Sequence, residues 1–234
     1  MALRGAVAYV FSEVSPLAIV ATGTIVRGRP HAASDLDVYV VHDAPFRRRV
    51  QRLFNGVPAE IFINPPQTIR AYFRDEQAAG EPLTAHMLAT GFVVWSTGTI
   101  ADQLRAEARE WLDRRSEPSE EETVRARYAA ATRLEDAIDV AGTDESTSSM
   151  LLTMAVITML ELECRAKAGR IPRRKDLLGI VEAIDGPIGA LGREFFSATT
   201  YAARRAAAEQ IADRTVGARG FFEWDSGPEA VSPQ

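Results

Sequence analysis

Asp35 and Asp37 open a run, Asp35-Leu-Asp-Val-Tyr-Val-Val41, that first alternates and then turns wholly apolar. That pattern describes a central strand entered from a polar edge. Side chains alternate along a strand, so the two carboxylates face one spot with their Cα atoms about 6–7 Å apart, while Leu36 and Val38 face the opposite layer. An apolar sheet holds charges so placed only if something compensates them, and this restricts what the rest of the chain can build.

The flanking segments supply such a sheet. Leu3, Val7, Val10, Phe11 and Val14 recur at helical spacing, Ser15-Pro16 stops that helix, and Leu17 to Ala21 reads as a buried first strand. A loop from Gly23 to Ala33 leads to the Asp35 strand, and Ala59 to Ile63 forms a third strand carrying Glu60. Between the second and third strands, Asp43-Ala-Pro45 has the form of a helix start. Phe46, Val50, Leu53 and Phe54 make one face, Asn55-Gly56 ends it, and Arg47, Arg48, Arg49 and Arg52 form its wet side. A helix over about 68–78, a strand from Gly91 to Trp95 and a helix over about 100–114 complete an expected order of αββαβαβα.

From Ser119 the pattern is helical throughout. Ser119 and Glu122 have the spacing of a capping box, and helices are expected over roughly 120–141, 148–168, 173–184 and 198–215. The expected class is α+β: a mixed-sheet domain over 1–115, an all-α bundle over 119–216 with an acceptor cleft between the two, and a frayed tail over 217–234. At 46% hydrophobic and 25% charged the chain reads as ordinary globular protein, and its net charge of −5 offers no basic footprint for extended nucleic-acid binding. The lone Cys164 lies in an apolar stretch and suits a free thiol in a reducing cytoplasm. Ser12 and Glu13 interrupt the N-terminal apolar run before any signal-peptide pattern develops. Met150 to Leu160, the most apolar segment, reads as a core helix, being about half of the ~20 residues a bilayer crossing takes.

The chemistry follows from the acids. Were the third strand to pair beside the second, Glu60 would join Asp35 and Asp37, and charges ~5 Å apart repel by about 3 kcal/mol per pair at an effective dielectric near 20. Oxygen ligands of this hard kind suit Mg²⁺, which usually shares a few carboxylates with water and nucleotide phosphates. Gly23 permits a sharp turn after the first strand, and Thr24 offers a hydroxyl and a backbone N–H to phosphate oxygens.

Gly23-Thr24 closing a strand, Asp35-Leu-Asp37 on the next and Glu60 on a following strand resemble the signature of the DNA polymerase β nucleotidyltransferase superfamily. Thr24 stands where the family usually has Ser, and Glu60 where Asp is commoner. The resemblance implies that Asp35, Asp37 and Glu60 are the catalytic and metal-binding residues, with Glu60 either holding a second metal or deprotonating the acceptor. It implies two Mg²⁺ ions with a nucleoside triphosphate, ATP by preference, and transfer of AMP to a hydroxyl with release of pyrophosphate. Gly23, Thr24, Ser34, Arg27 and Lys167 are the expected nucleotide and phosphate contacts, Arg27 sharing its loop with Arg29 and His31, and Lys167 being one of two lysines in the chain.

The helical half is similar in kind to the substrate domains of aminoglycoside nucleotidyltransferases, so a small hydroxylated, aminoglycoside-like acceptor is expected. Glu135, Asp136, Asp139, Glu161 and Glu163 offer an acidic wall for a cationic one. The alternative is an antitoxin-like nucleotidyltransferase that modifies or binds a protein partner, and a homodimer is the other assembly considered. A glycosyltransferase also uses Asp-x-Asp, but only one strand precedes Asp35 where a nucleotide-binding βαβ half is required. The histidines are His31, His42 and His86, so the helical half has none for a ribonuclease.

Overall fold

The computed structural model describes residues 1–26, 28, 34–115 and 118–228. The chain divides into two compact units, Met1–Arg114 and Arg115–Gln234. The first is a mixed sheet with helices on both faces, and the second is all helix.

In the first unit α1 (Ala2–Glu13) precedes β1 (Ala18–Thr22), a single helical turn α2 (Gly23–Val26) and β2 (Leu36–Val41). β3 (Arg48–Phe54) and β4 (Val57–Asn64) follow, then α3 (Pro66–Ala79), α4 (Leu83–Thr90), β5 (Phe92–Ser96) and α5 (Ile100–Asp113). The five strands lie in the order β3-β4-β2-β1-β5. β2 and β4 run parallel, and every other neighbouring pair is antiparallel.

Strand alternation divides the core in two. Ile19, Val38, Val40, Ile61 and Ile63 pack with Ala6 and Val10 of α1. On the other face Ala18, Val20, Tyr39 and Val41 pack with Ile69 and Phe73 of α3, Leu88 of α4 and Leu104 of α5. Gly91 lets α4 run into β5 at close quarters, for a Cβ there would overlap the Val20 side chain.

The segment expected to be a helix over 46–54 is strand β3, a correction with a clear cause. Asn55 and Gly56 both hold positive φ, 50° and 79°. Two such residues in a row build the tight turn whose twist suits a hairpin, and β3 pairs with β4 straight through it, Phe54 opposite Val57. Val50 and Phe54 are four apart, a spacing that a strand also places on one face, and both pack towards the α1 side. The arginines therefore alternate across an edge strand instead of coating a helix, and charge on such an edge discourages pairing with another chain. α4 is a further helix that the expected order lacks.

The second unit holds α6 (Glu120–Val140), α7 (Glu145–Ala168), a 3₁₀ turn (Arg174–Asp176), α8 (Leu177–Ile184), α9 (Gly186–Ser197) and α10 (Tyr201–Thr215). The capping box forms: Glu122 N–H donates to Ser119 Oγ at 3.1 Å and Ser119 N–H to Glu122 Oε2 at 2.8 Å. α9 adds a helix to the four expected. Asp185 caps it by accepting from Ile188 N–H at 2.9 Å, and a proline sits in its first turn. Gly189 lets it press on α8, where a Cβ would overlap the Glu182 backbone.

α7 is long and apolar enough to cross a membrane by length and composition, yet Leu152, Val156, Met159 and Leu160 on it are fully buried in the bundle core with Leu134 of α6 and Ile211 of α10. Cys164 is a buried free thiol in the same core. Ser148 on α7 donates to the Ala137 carbonyl at 2.5 Å and meets the Tyr201 hydroxyl at 2.7 Å, tying three helices together.

The hairpin gives a direct stability test. Gly56→Val should cost about 1–2 kcal/mol, because a β-carbon is disfavoured at positive φ, whereas Asn55→Gly should stay within about 0.5 kcal/mol of the parent. Urea midpoints of the two variants check both.

Candidate active site

The parallel pairing of β2 and β4 sets Asp37 opposite Glu60, and Asp35 lies two residues earlier on the same face as Asp37. One carboxylate oxygen from each of Asp35, Asp37 and Glu60 falls within 4.8 Å of the others, with Asp35 exposed and the other two half-buried. The helices on this face pack over Val20, Tyr39 and Val41, towards the other end of the strands, and Asp35 at the acidic end is exposed.

A row crosses four of the five strands here: Thr22 on β1, Asp37 on β2, Glu60 on β4 and Gln51 on β3 stand in register. Gln51 Nε2 donates to Glu60 Oε1 at 3.0 Å, and Arg49 Nε donates to the same oxygen in a short ion pair. Both bonds fall on Oε1, and no described residue donates to Oε2. The Arg49 guanidinium holds the Glu60 carboxyl below the usual carboxylate range, Gln51 adds to that, and partial burial works against it. Arg49 in turn lies over the Phe62 ring, 4.9 Å from its centroid.

On the β1 side the chain turns at Gly23, whose φ is 88°. That positive φ favours glycine, and a Cβ at this position would also push on Asp37 Oδ2 and turn that carboxylate from its place. The turn brings Thr24 beside Ser34, Thr24 Oγ1 donating to Ser34 Oγ at 3.1 Å. Gly23, Thr24 and Ser34 thus share one border of the acidic cluster.

Arg27 lies outside the described residues, as do Arg29 and His31. Lys167 belongs to the helical unit, where it pairs with Glu163 at 2.7 Å and with Asp185 in a shorter bridge. Glu161 of the acidic wall pairs with Arg174 at 3.5 Å. Arg49 and Gln51 are the residues that sequence reasoning missed. Asn-Gly between two short runs of apolar residues was the available signal, since a hairpin there sets Gln51 opposite Glu60.

The donor set fits a hard divalent cation: among the described residues it is three carboxylates with no nitrogen or sulfur ligand, and the exposure of Asp35 lets water and phosphate oxygens complete the coordination. Asp35, Asp37 and Glu60 are the residues that would hold it.

No family model and no curated protein matches the sequence. Among solved structures the chain is similar to a nucleotidyltransferase-like protein from Exiguobacterium sibiricum 255-15, with a TM-score of 0.53 over 92% of this chain and 73% of that one and a sequence identity of 11%. At that identity the likeness is one of fold, and the fold is nucleotidyltransferase-like.

The Arg49 pairing has a pH signature. A carboxyl whose pKa is depressed in the folded chain contributes stability above the pH at which the unfolded chain titrates, and loses that contribution as pH falls through the folded value. Side-chain NMR titration should therefore give Glu60 a pKa below that of an ordinary glutamate, and Arg49→Ala should move it upwards.

Proposed function

We propose that the chain is a Mg²⁺-dependent nucleotidyltransferase that moves a nucleoside monophosphate, AMP from ATP by preference, onto the hydroxyl of a small acceptor. The observation that carries this reading is the convergence of Asp35, Asp37 and Glu60 within 4.8 Å beside the Gly23-Thr24 turn.

The row across the sheet gives the reaction a direction. Gly23, Thr24 and Ser34 border the cluster on the β1 side, with backbone N–H and hydroxyl groups that suit phosphate oxygens. Glu60 stands on the opposite side, so the acceptor hydroxyl approaches over β4 and the pyrophosphate departs over the β1 turn. The acceptor oxygen bonds to the α phosphorus, the bond from that phosphorus to the bridging oxygen breaks, and pyrophosphate leaves with the electron pair. When bound, Mg²⁺ supplies activation of the attacking oxygen and neutralisation of the leaving group.

Glu60 is better suited to holding charge than to accepting a proton. Arg49 keeps its carboxyl below the ordinary range, which makes it a weak base and a dependable anion. The hydroxyl proton accordingly passes to solvent at the acidic end, where Asp35 is exposed. Arg49 and Gln51 act through Glu60: by donating to Oε1 they hold its carboxylate in place.

Incubation with Mg²⁺, α-³²P-labelled ATP and a panel of hydroxylated acceptors and cell extract tests the proposal. Label should move to a small molecule, and Asp35→Asn/Asp37→Asn should slow that transfer by at least about a hundredfold. Equal transfer by parent and variant would sink the assignment, and label appearing only on a protein would direct it to a macromolecular acceptor.

A further inference from the structure

A groove of about 450 Å³ opens on the same face of the sheet as the carboxylates. Tyr39 and Phe62 form its floor, and Arg47, Arg49, Tyr72 and Glu76 are among its walls. Tyr39 and Phe62 are register partners, and Phe62 is opposite Arg49, so this row lies two residues along the strands from the Asp37–Glu60–Gln51 row. Two residues of strand are about 6.5–7 Å, within the span of one small molecule.

The groove is apolar below and cationic at its rim. The Tyr39 and Phe62 rings stack at 5.8 Å and 13°, and Arg49 covers the outer ring. Arg49 is neutralised by Glu60, and Arg48 is held by Glu13 at 2.6 Å. Arg47 differs: its partner is the Tyr72 hydroxyl, to which it donates at 2.6 Å, and no carboxylate of a described residue lies within ion-pair distance of it. Glu76 on the wall is already engaged, accepting from Thr84 N–H at 2.6 Å and from Thr84 Oγ1 at 2.7 Å.

We propose that this groove seats the acceptor of the transfer reaction and that the acceptor carries an oxyanion, a phosphate or a carboxylate, bound by Arg47 and Tyr72 while its hydroxyl reaches Glu60. The assignment rests on the nucleotidyl-transfer reading and names its substrate class. A guanidinium offers paired donors to such a group, and an ammonium-bearing aminosugar would meet Arg47 with like charge. The charge of the groove therefore favours an anionic acceptor over the cationic one that the helical half leads one to expect.

Four hexoses of one scaffold and different charge test it: glucose 6-phosphate, glucuronate, glucose and glucosamine, titrated calorimetrically into the full chain without nucleotide or Mg²⁺. One or both anions should bind at least about tenfold tighter than glucose and glucosamine, and the tighter of the two identifies the oxyanion. Arg47→Glu should remove that preference and Tyr72→Phe should weaken it, while Asp37→Asn retains it and Mg·ATP binding to Arg47→Glu stays at the parent value. Glucosamine binding as tightly as the anions, anion binding that survives Arg47→Glu, or an equal loss of Mg·ATP binding in that variant would each overturn the proposal. Loss of anion binding with label transfer intact removes the groove assignment alone. Anion binding with no label transfer removes the transfer reading instead.

Discussion

Electrostatic repulsion between three carboxylates on one sheet face is the constraint from which the rest of the first unit follows. At ~5 Å and an effective dielectric near 20 each pair costs about 3 kcal/mol, comparable to a sizeable share of a small domain's net stability. The fold lowers that cost in two ways. α3, α4 and α5 pack on the far end of the strands, and Asp35 is exposed to water. β3 brings Arg49 and Gln51 onto one oxygen of Glu60. The charge left over is what a divalent cation and the phosphates it carries would meet.

This gives β3 a double role. As an edge strand it exposes most of its residues, and its arginines suit an edge that must not recruit another strand. Its even-numbered residues turn to α1, where Arg48 meets Glu13 and Arg52 covers the Tyr9 ring, while Arg49 and Gln51 turn to the acids. One alternating strand thus braces a helix on one face and orients a carboxylate on the other.

The acids themselves were legible in the sequence because strand periodicity fixes which residues share a face, and an Asp-x-Asp needs nothing else to converge. That Glu60 joins them depended on the parallel pairing of β2 and β4, which no local pattern encodes. β3 was misread because Phe46, Val50, Leu53 and Phe54 also fit a helical stripe, and Asn55-Gly56 closes a helix as readily as it turns a hairpin. The roles of Arg49 and Gln51 went with that segment. In the helical unit the long periods of α6 and α7 stood out, whereas α9, opened by Asp185 and pressed on α8 through Gly189, was hidden among small residues. The scarcity of lysine drew notice to Lys167, which in the fold serves Glu163 and Asp185.

The most direct test of the account is whether the three acids act together as a cation site. Mn²⁺ titrated into the full chain with ATP, its free fraction read by electron paramagnetic resonance, should bind the parent at least about tenfold tighter than an Asp35→Asn/Asp37→Asn/Glu60→Gln variant with the parent's circular dichroism. Equal Mn²⁺ affinity in parent and variant would contradict it, and the cluster would then be an acidic strand end without a metal.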